Sequence, residues 1–232
     1  MIAAFTVDVE QDCPPYLSTW RGIEEGLPKL LDLLRAEAVV GTFFTTGEAA
    51  RRHPGAMRSI VDAGHELACH GDMHRNFATL TRDASNQELA RSSSALREFG
   101  EVTAFRAPYL QFPPSYLPLL SRHGYTLDSS EGRHKTRKAS VRREHGILRI
   151  PASVTSSTLR WPRFARDALF TRLQHPVVLF VHPWEFVDLR RARLRFDCRF
   201  KTGDVALDCA RSAVRLLRRR GTLFVPMRDL VA

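Results

Sequence analysis

Ile2-Ala3-Ala4-Phe5-Thr6-Val7 runs without a break into Asp8-Val9-Glu10-Gln11-Asp12, an apolar strand that ends on acids. Short apolar runs rich in β-branched and aromatic residues read as buried strands. No glycine-rich turn follows this one. The phosphate-cradling fingerprint of dinucleotide-binding sheets is therefore missing where it would have to stand. Working outward, the same kind of strand returns at Val39–Phe44, His65–Cys69, Val102–Phe105, Tyr125–Leu127, Ile147–Pro151, Val177–Val181 and Leu223–Val225. Between them lie segments with helical periodicity: Leu27–Ala36, Glu48–Ala63 with a break at His53-Pro54, Ser85–Phe99, Ser115–His123, Arg163–Leu173 and Asp204–Arg220. Gly64, Gly100, Gly124 and Gly221 stand where helices end, as a left-handed C-terminal residue requires. Ser129–Gly146 and Val187–Gly203 read as polar loops.

Alternating strands and helices predict an α/β protein, a parallel sheet with helices outside it. No linker or internal repeat divides the chain, so a single domain over residues 1–232 is expected, closed like a barrel. An open doubly wound sheet is the alternative. The chain has 232 residues and 44% hydrophobic content, enough for a sizeable core. Lys and Arg number 35 against 25 Asp and Glu, a formal charge of +10. That excess suits an anionic partner such as a phosphate-bearing or lipid-linked substrate, or peripheral contact with a membrane surface. It comes with no nucleic-acid recognition motif. Cys13, Cys69, Cys198 and Cys209 form no CxxC pair and are expected to be reduced. The N-terminus shows no signal-peptide pattern and no apolar run is long enough to span a bilayer, which leads to the expectation of a cytoplasmic protein.

Chemistry gathers after the strands. Asp8, Glu10 and Asp12 follow the first, His70 and His74 the third, Arg106 the fourth, Asp128 the fifth, and His182 the strand Val177–Val181. In a parallel barrel these C-terminal strand ends share one face, and that face carries the active site. Singly, each residue has an ordinary structural role open to it: a turn cap for the aspartates, an ion pair for Arg106, a satisfied core position for His182. Together they place acids, imidazoles and a guanidinium at one mouth. Two imidazoles and a carboxylate are a common catalytic zinc set with a position left for water, and other first-row divalent ions suit it too. Asp8 and Glu10 lie two apart on an extended segment, so both point to one side.

Thr6-Val7-Asp8-Val9-Glu10, Gly41-Thr42-Phe43-Phe44, Gly64-His65-Glu66, His70-x-x-x-His74, Phe105-Arg106-Ala107-Pro108-Tyr109, Asp128-Ser129-Ser130 and Val181-His182 stand in an order that resembles the polysaccharide deacetylase (NodB-homology) family. The resemblance covers Thr6 to about Glu185. It implies a distorted, incomplete (β/α) barrel and one divalent metal ion, zinc first, with nickel, cobalt or iron also compatible. It implies removal of the N-acetyl group from an N-acetylated amino sugar, in a polysaccharide, a glycan or a lipid-linked form. By the same resemblance Asp8 is the base that activates water, and His70 and His74 are metal ligands. Arg106 pairs with the base, the backbone N–H of Tyr109 helps hold the oxyanion, and His182 is the general acid. Asp128 matches loosely, as a residue that orients His182. Two departures stand out. Val9 occupies the place of the family's second adjacent aspartate, which makes Glu10 the expected carboxylate ligand and Asp12 its alternative. Gly71 replaces the usual hydroxyl residue. Tyr109, Phe112, Trp184 and Phe186 are candidate walls of a sugar site, and the basic stretches Arg133–Arg143 and Arg190–Lys201 are candidate flanks of its mouth. Competing expectations are a hydrolase of a non-sugar amide or cyclic ureide, allantoinase-like, and a non-catalytic carbohydrate-binding relative.

Overall fold

The computed structural model describes residues 1–136 and 139–230. Its strands are β1 Ile2–Val9, β2 Thr42–Thr45, β3 Glu66–Cys69, β4 Ala104–Phe105, β5 Leu127–Asp128, β6 Arg142–Glu144, β7 Ile147–Arg149, β8 Val177–Val181 and β9 Leu223–Phe224. They form one sheet in the order β6-β7-β5-β4-β3-β2-β1-β8, with β9 paired to the first residues of β1. Pairing is parallel except between β6 and β7. The helices are α1 Leu27–Ala36, α2 Gly47–Arg52, α3 Pro54–Asp62, α4 Arg82–Arg97, α5 Leu117–Arg122, α6 Arg163–Phe170, α7 Phe196–Arg199 and α8 Asp204–Arg219.

Side-chain alternation sends each strand's residues to two different cores. Phe5, Val7, Phe43, Leu67, Phe105 and Leu179 pack outward on apolar faces of the helices, such as Leu30 and Leu34 of α1, Leu89 and Leu96 of α4, and Val214 and Leu217 of α8. Ala4, Phe44, Ala68, Ala104, Ile150 and Val178 form a separate buried cluster on the inner face. Ile150 and Val178 belong to opposite ends of the sheet, so the sheet has curled until its inner face packs on itself. A doubly wound sheet would instead cover both faces with helices. The alanines inside reflect how little room a narrow barrel leaves. Its floor is stopped by Met227 and Leu230, with the Met227 amide donating to Thr42 Oγ1 at 2.8 Å.

The barrel closes at a seam rather than a full ladder. Ser153, beyond β7, donates its amide to Val178 O at 2.8 Å and accepts from the Val178 amide on its hydroxyl at 2.9 Å. One side chain thus stands in for a missing backbone partner.

Most predicted elements are present with shifted ends. The break at His53-Pro54 separates α2 from α3. Helix α4 starts before Ser85 because Thr81 caps it, accepting from the Ala84 amide. Strand β2 starts only at Thr42, after Ala38 takes a left-handed φ of 46° to leave α1. The stretch read as loop from Ser129 to Gly146 contains β6, joined to β7 by His145 and Gly146. Both have positive φ, 50° and 81°, as a two-residue hairpin turn demands. The loop Val187–Gly203 likewise contains α7.

Ser153→Ala should leave the Val178 amide buried without a partner, a cost of about 1–3 kcal/mol. The expected result is a lower urea midpoint at unchanged slope. An unchanged midpoint would show that the seam contributes nothing to stability.

Candidate active site and metal centre

The C-terminal ends of β1, β3, β4 and β8 open on a cavity of about 240 Å³ whose wall includes Asp8, Glu10, His70, His74, Tyr109 and His182. Glu10 is the residue on which it converges. Its Oε2 lies 2.6 Å from Nε2 of His74 and 3.3 Å from Nε2 of His70. Glu10, His70 and His74 offer ligand atoms that all lie within 4.8 Å of one another. Glu10 Oε2 is buried and makes no well-aligned hydrogen bond to either ring. A buried carboxylate oxygen with no aligned hydrogen bond, facing two imidazole nitrogens, is suited to share a cation with them, so the residues fit a divalent ion. Burial pushes the Glu10 carboxyl up, but the charge of His74, contacts with both imidazoles and the charge of His182 outweigh it and hold it well below the usual range.

The scaffold aims these ligands. His70 Nδ1 contacts the Arg106 carbonyl at 2.7 Å, which turns Nε2 toward the cavity; metal-binding histidines are characteristically held this way through their other nitrogen. Between the two histidines, the amides of Asp72 and Met73 both donate to Glu88 Oε2 at 3.0 Å. Glu88, on α4, thereby pins the loop, and His74 completes the bend with a φ of 52°. Gly71 has a φ of 77°, and a Cβ there would meet the Phe77 ring at 3.2 Å. A hydroxyl residue at this position would need both strain and displacement.

Asp8 sits beside Glu10, its Oδ1 accepting from Arg106 at 2.6 Å. Arg106 is fully buried. It also donates to Thr6 Oγ1 and Ser129 Oγ and stacks 4.1 Å over Phe44. Tyr109 takes a left-handed φ of 61°. The hydrogen bonds of its turn use the amides of Leu110 and Gln111 instead of its own, and its ring packs edge-on against His74.

His182 faces Glu10 across the cavity, Nε2 to Oε1 3.8 Å, and its ring stacks on Trp184. Its Nδ1 contacts Glu185 Oε1 at 2.9 Å. The turn His182-Pro183-Trp184-Glu185 folds the carboxylate back under the ring, and Arg160 holds its other oxygen at 3.0 Å. Burial would lower the His182 imidazolium, but the Glu185 contact and the charges of Glu10, Glu185 and Asp8 raise it to about 9.

Two sequence-based placements change. Asp12 is not beside the histidines: its oxygens accept from Thr19 Oγ1 at 2.7 Å and the Gly22 amide at 2.8 Å, so it braces the loop after β1. Asp128 does not orient His182. It pairs with Arg149 at 2.9 Å and bonds the Ser130 side chain, so its carboxylate is committed to the neighbouring strand β7. The carboxylate on His182 is Glu185. The sequence signal for it was its position three residues after His182; nothing local signalled Arg160 or Glu88. Of the candidate walls, Tyr109 and Trp184 line the cavity, whereas Phe112 and Phe186 are core residues. From the basic stretches, His134, Lys135 and Cys198 reach the wall; Arg137 and Lys138 lie outside the described residues.

The family profile described as polysaccharide deacetylase matches residues 5–127, just over half the chain. A peptidoglycan deacetylase of Helicobacter pylori is 30% identical over 146 residues, 56% of this chain and 49% of that protein. The chain thus spans about half the length of that relative. Among solved structures, one assigned as a polysaccharide deacetylase from Mycobacterium smegmatis superposes with a TM-score of 0.74 at 22% identity, over 98% of this chain and 87% of that one. A carbohydrate esterase family 4 pseudoenzyme from Bacillus anthracis superposes with a TM-score of 0.69 at 17% identity, over 100% and 65%. At these identities the likeness is one of fold, the incomplete (β/α) barrel. A pseudoenzyme among the neighbours means that this fold does not by itself imply activity, which depends on the groups in the cavity.

Glu10→Gln should weaken divalent-ion binding by more than the roughly 10–100-fold typical of losing a residue that merely supports a ligand. Asp12→Asn should leave ion binding unchanged. Calorimetric titration of the stripped protein, checked by elemental analysis, separates them, and the reverse order would reassign the carboxylate.

Proposed function

The chain belongs to the polysaccharide deacetylase family, and on that premise we propose that it hydrolyses the N-acetyl group of an N-acetylated amino sugar, releasing acetate. The observation that carries this reading is the placement of Glu10 between His70 and His74, with Asp8 and His182 lining the same cavity. Glu10, His70 and His74 would hold one divalent ion, zinc being the ion such a set suits best. When bound, that ion supplies Lewis acidity, acidifying a water and polarising the amide carbonyl.

The chain's own groups do the rest. Asp8, oriented by Arg106, takes the proton of the attacking water. The Tyr109 amide is available to the oxygen as it gains negative charge, where a preorganised donor is most valuable. His182 gives its proton to the departing amine nitrogen, which would otherwise leave as an unstable anion. Trp184 and Glu185 hold the imidazole in place while it does so. Tyr109 and Trp184 offer aromatic surface to a sugar ring. Acetate release from a panel of N-acetylated glycans and glycolipids, with metal restored to the protein, tests the activity directly. No release from any member would remove the reading.

His182→Ala should cut kcat on amides by about 10²–10⁴-fold, the usual worth of an acid–base group. The loss should be much smaller on an activated acetate ester, whose leaving group needs no proton. Equal losses on both would make His182 a positioning group.

The proton also sets the pH limit. A raised pKa keeps His182 protonated below its value and neutral above it, so the rate should fall on the alkaline side, at a pH no higher than about 9. A cation on Glu10 offsets that residue's part of the shift and leaves the Glu185 part. Glu185→Gln should therefore move the alkaline limb to lower pH. A limb that stays in place would assign it to another group.

A further inference from the structure

Two of the chain's cysteines meet in the wall of this cavity. Cys13 lies in the loop after β1 and Cys198 in α7, far apart in sequence, yet both line the cavity and both belong to the small cluster around Trp184. Packed in one cluster on one stretch of wall, each thiol perturbs the ionisation of the other. Neither is in a disulfide, and Cys69 and Cys209 are free as well.

Each thiol sits on an anchored segment. On one side, Asp12 ties the loop by accepting from Thr19 and Gly22, and Cys13 itself holds a left-handed φ of 43°, a conformation that a non-glycine residue keeps only when its surroundings impose it. On the other side, Arg160 donates to the carbonyls of Asp197 and Phe200, which flank Cys198. Arg160 is the same side chain that pairs with Glu185 beneath His182. Two braced segments therefore bring the two cysteines to one stretch of wall.

We propose that Cys13 and Cys198 are a redox-active thiol pair that a peroxide converts to a disulfide across the cavity wall. Cys198 is partly open to solvent and Cys13 is buried, so the oxidant reaches Cys198 first. Cys198 attacks hydrogen peroxide, the O–O bond breaks, and the products are a sulfenic acid and water. Cys13 then attacks the sulfenic sulfur, the S–O bond breaks, and a second water leaves. Overall, two thiols lose two hydrogens and two electrons while one peroxide is reduced to two waters. The more open Cys198 is therefore the attacker and the buried Cys13 the resolver. Bond formation asks two thiols already held in one cluster to close to bonding distance. The product would tie the loop after Glu10 to the loop after His182 and, through Arg160, stiffen the support of the proposed acid.

The test uses the full chain, reduced and then treated with a small excess of hydrogen peroxide, and reads chemistry rather than turnover. Thiol titration should fall from the four cysteines to those of Cys69 and Cys209, and recover with dithiothreitol. Tryptic mapping should find the peptide Met1–Arg21 joined to Phe196–Arg199. In Cys13→Ser, Cys198 should be trapped as a sulfenic acid by dimedone. In Cys198→Ser, Cys13 should stay unmodified, and Cys209→Ser should form the link as wild type does. The proposal is overturned by a link between other cysteines, by a link between two molecules, by over-oxidation of Cys198 without a link, or by Cys13 reacting as fast without Cys198 as with it. These readouts hold whatever the protein hydrolyses.

Discussion

A guanidinium with no access to water needs a partner for its charge, and Arg106 finds one by drawing the barrel together around itself. It donates to Thr6 and Asp8 on β1 and to Ser129 beyond β5, and stacks between Phe44 of β2 and Phe180 of β8. Its own carbonyl receives His70 from beyond β3. Removing one partner of such a buried pair typically costs about 3–5 kcal/mol, because the other charge is stranded. The pair is weak as a source of net stability, since both groups had to leave water. Its value is positional: it fixes Asp8 and the His70 imidazole by a single side chain.

From that point the site divides into two halves with different supports. The half formed by Glu10, His70 and His74 rests on local backbone: the left-handed His74, the glycine at 71 and the two amides gathered by Glu88. The half formed by His182 rests on long-range charge. Arg160 neutralises Glu185, which is then free to hold His182. A buried carboxylate under an imidazole raises its proton affinity, and this chain obtains it from three residues along the same turn. The other candidate, Asp128, is already paired with Arg149 across β5 and β7. The support of His182 thus lies in the turn that follows β8, while Asp128 braces β5 against β7.

Several features are legible in the residue pattern alone. The alternation of strands and helices, the break at His53-Pro54 and the grouping of Asp8, Glu10, His70, His74, Arg106 and His182 at one mouth all follow from periodicity of two and of 3.6 and from the rule that parallel strands end on one face. What local pattern leaves out are short elements whose existence depends on partners. The hairpin at His145-Gly146 forms because β7 is already in the sheet. The helix α7 is held by Arg160, which lies well upstream in sequence.

By itself, then, the sequence determined which side chains follow the strands and share the mouth, because parallel strands end on one face and a strand's two faces are fixed by residue parity. Parity also put Asp8 and Glu10 on one side, but it allows Asp12 there equally well. Only the tertiary structure decided between them: after Glu10 the chain leaves the extended path, and Asp12 turns to bind Thr19 and Gly22. It also decided which carboxylate meets His182, which two of the four cysteines meet, and that the sheet closes on Ser153. Each of those outcomes depends on distances between segments remote in sequence, which packing of the two cores sets and no local spacing encodes.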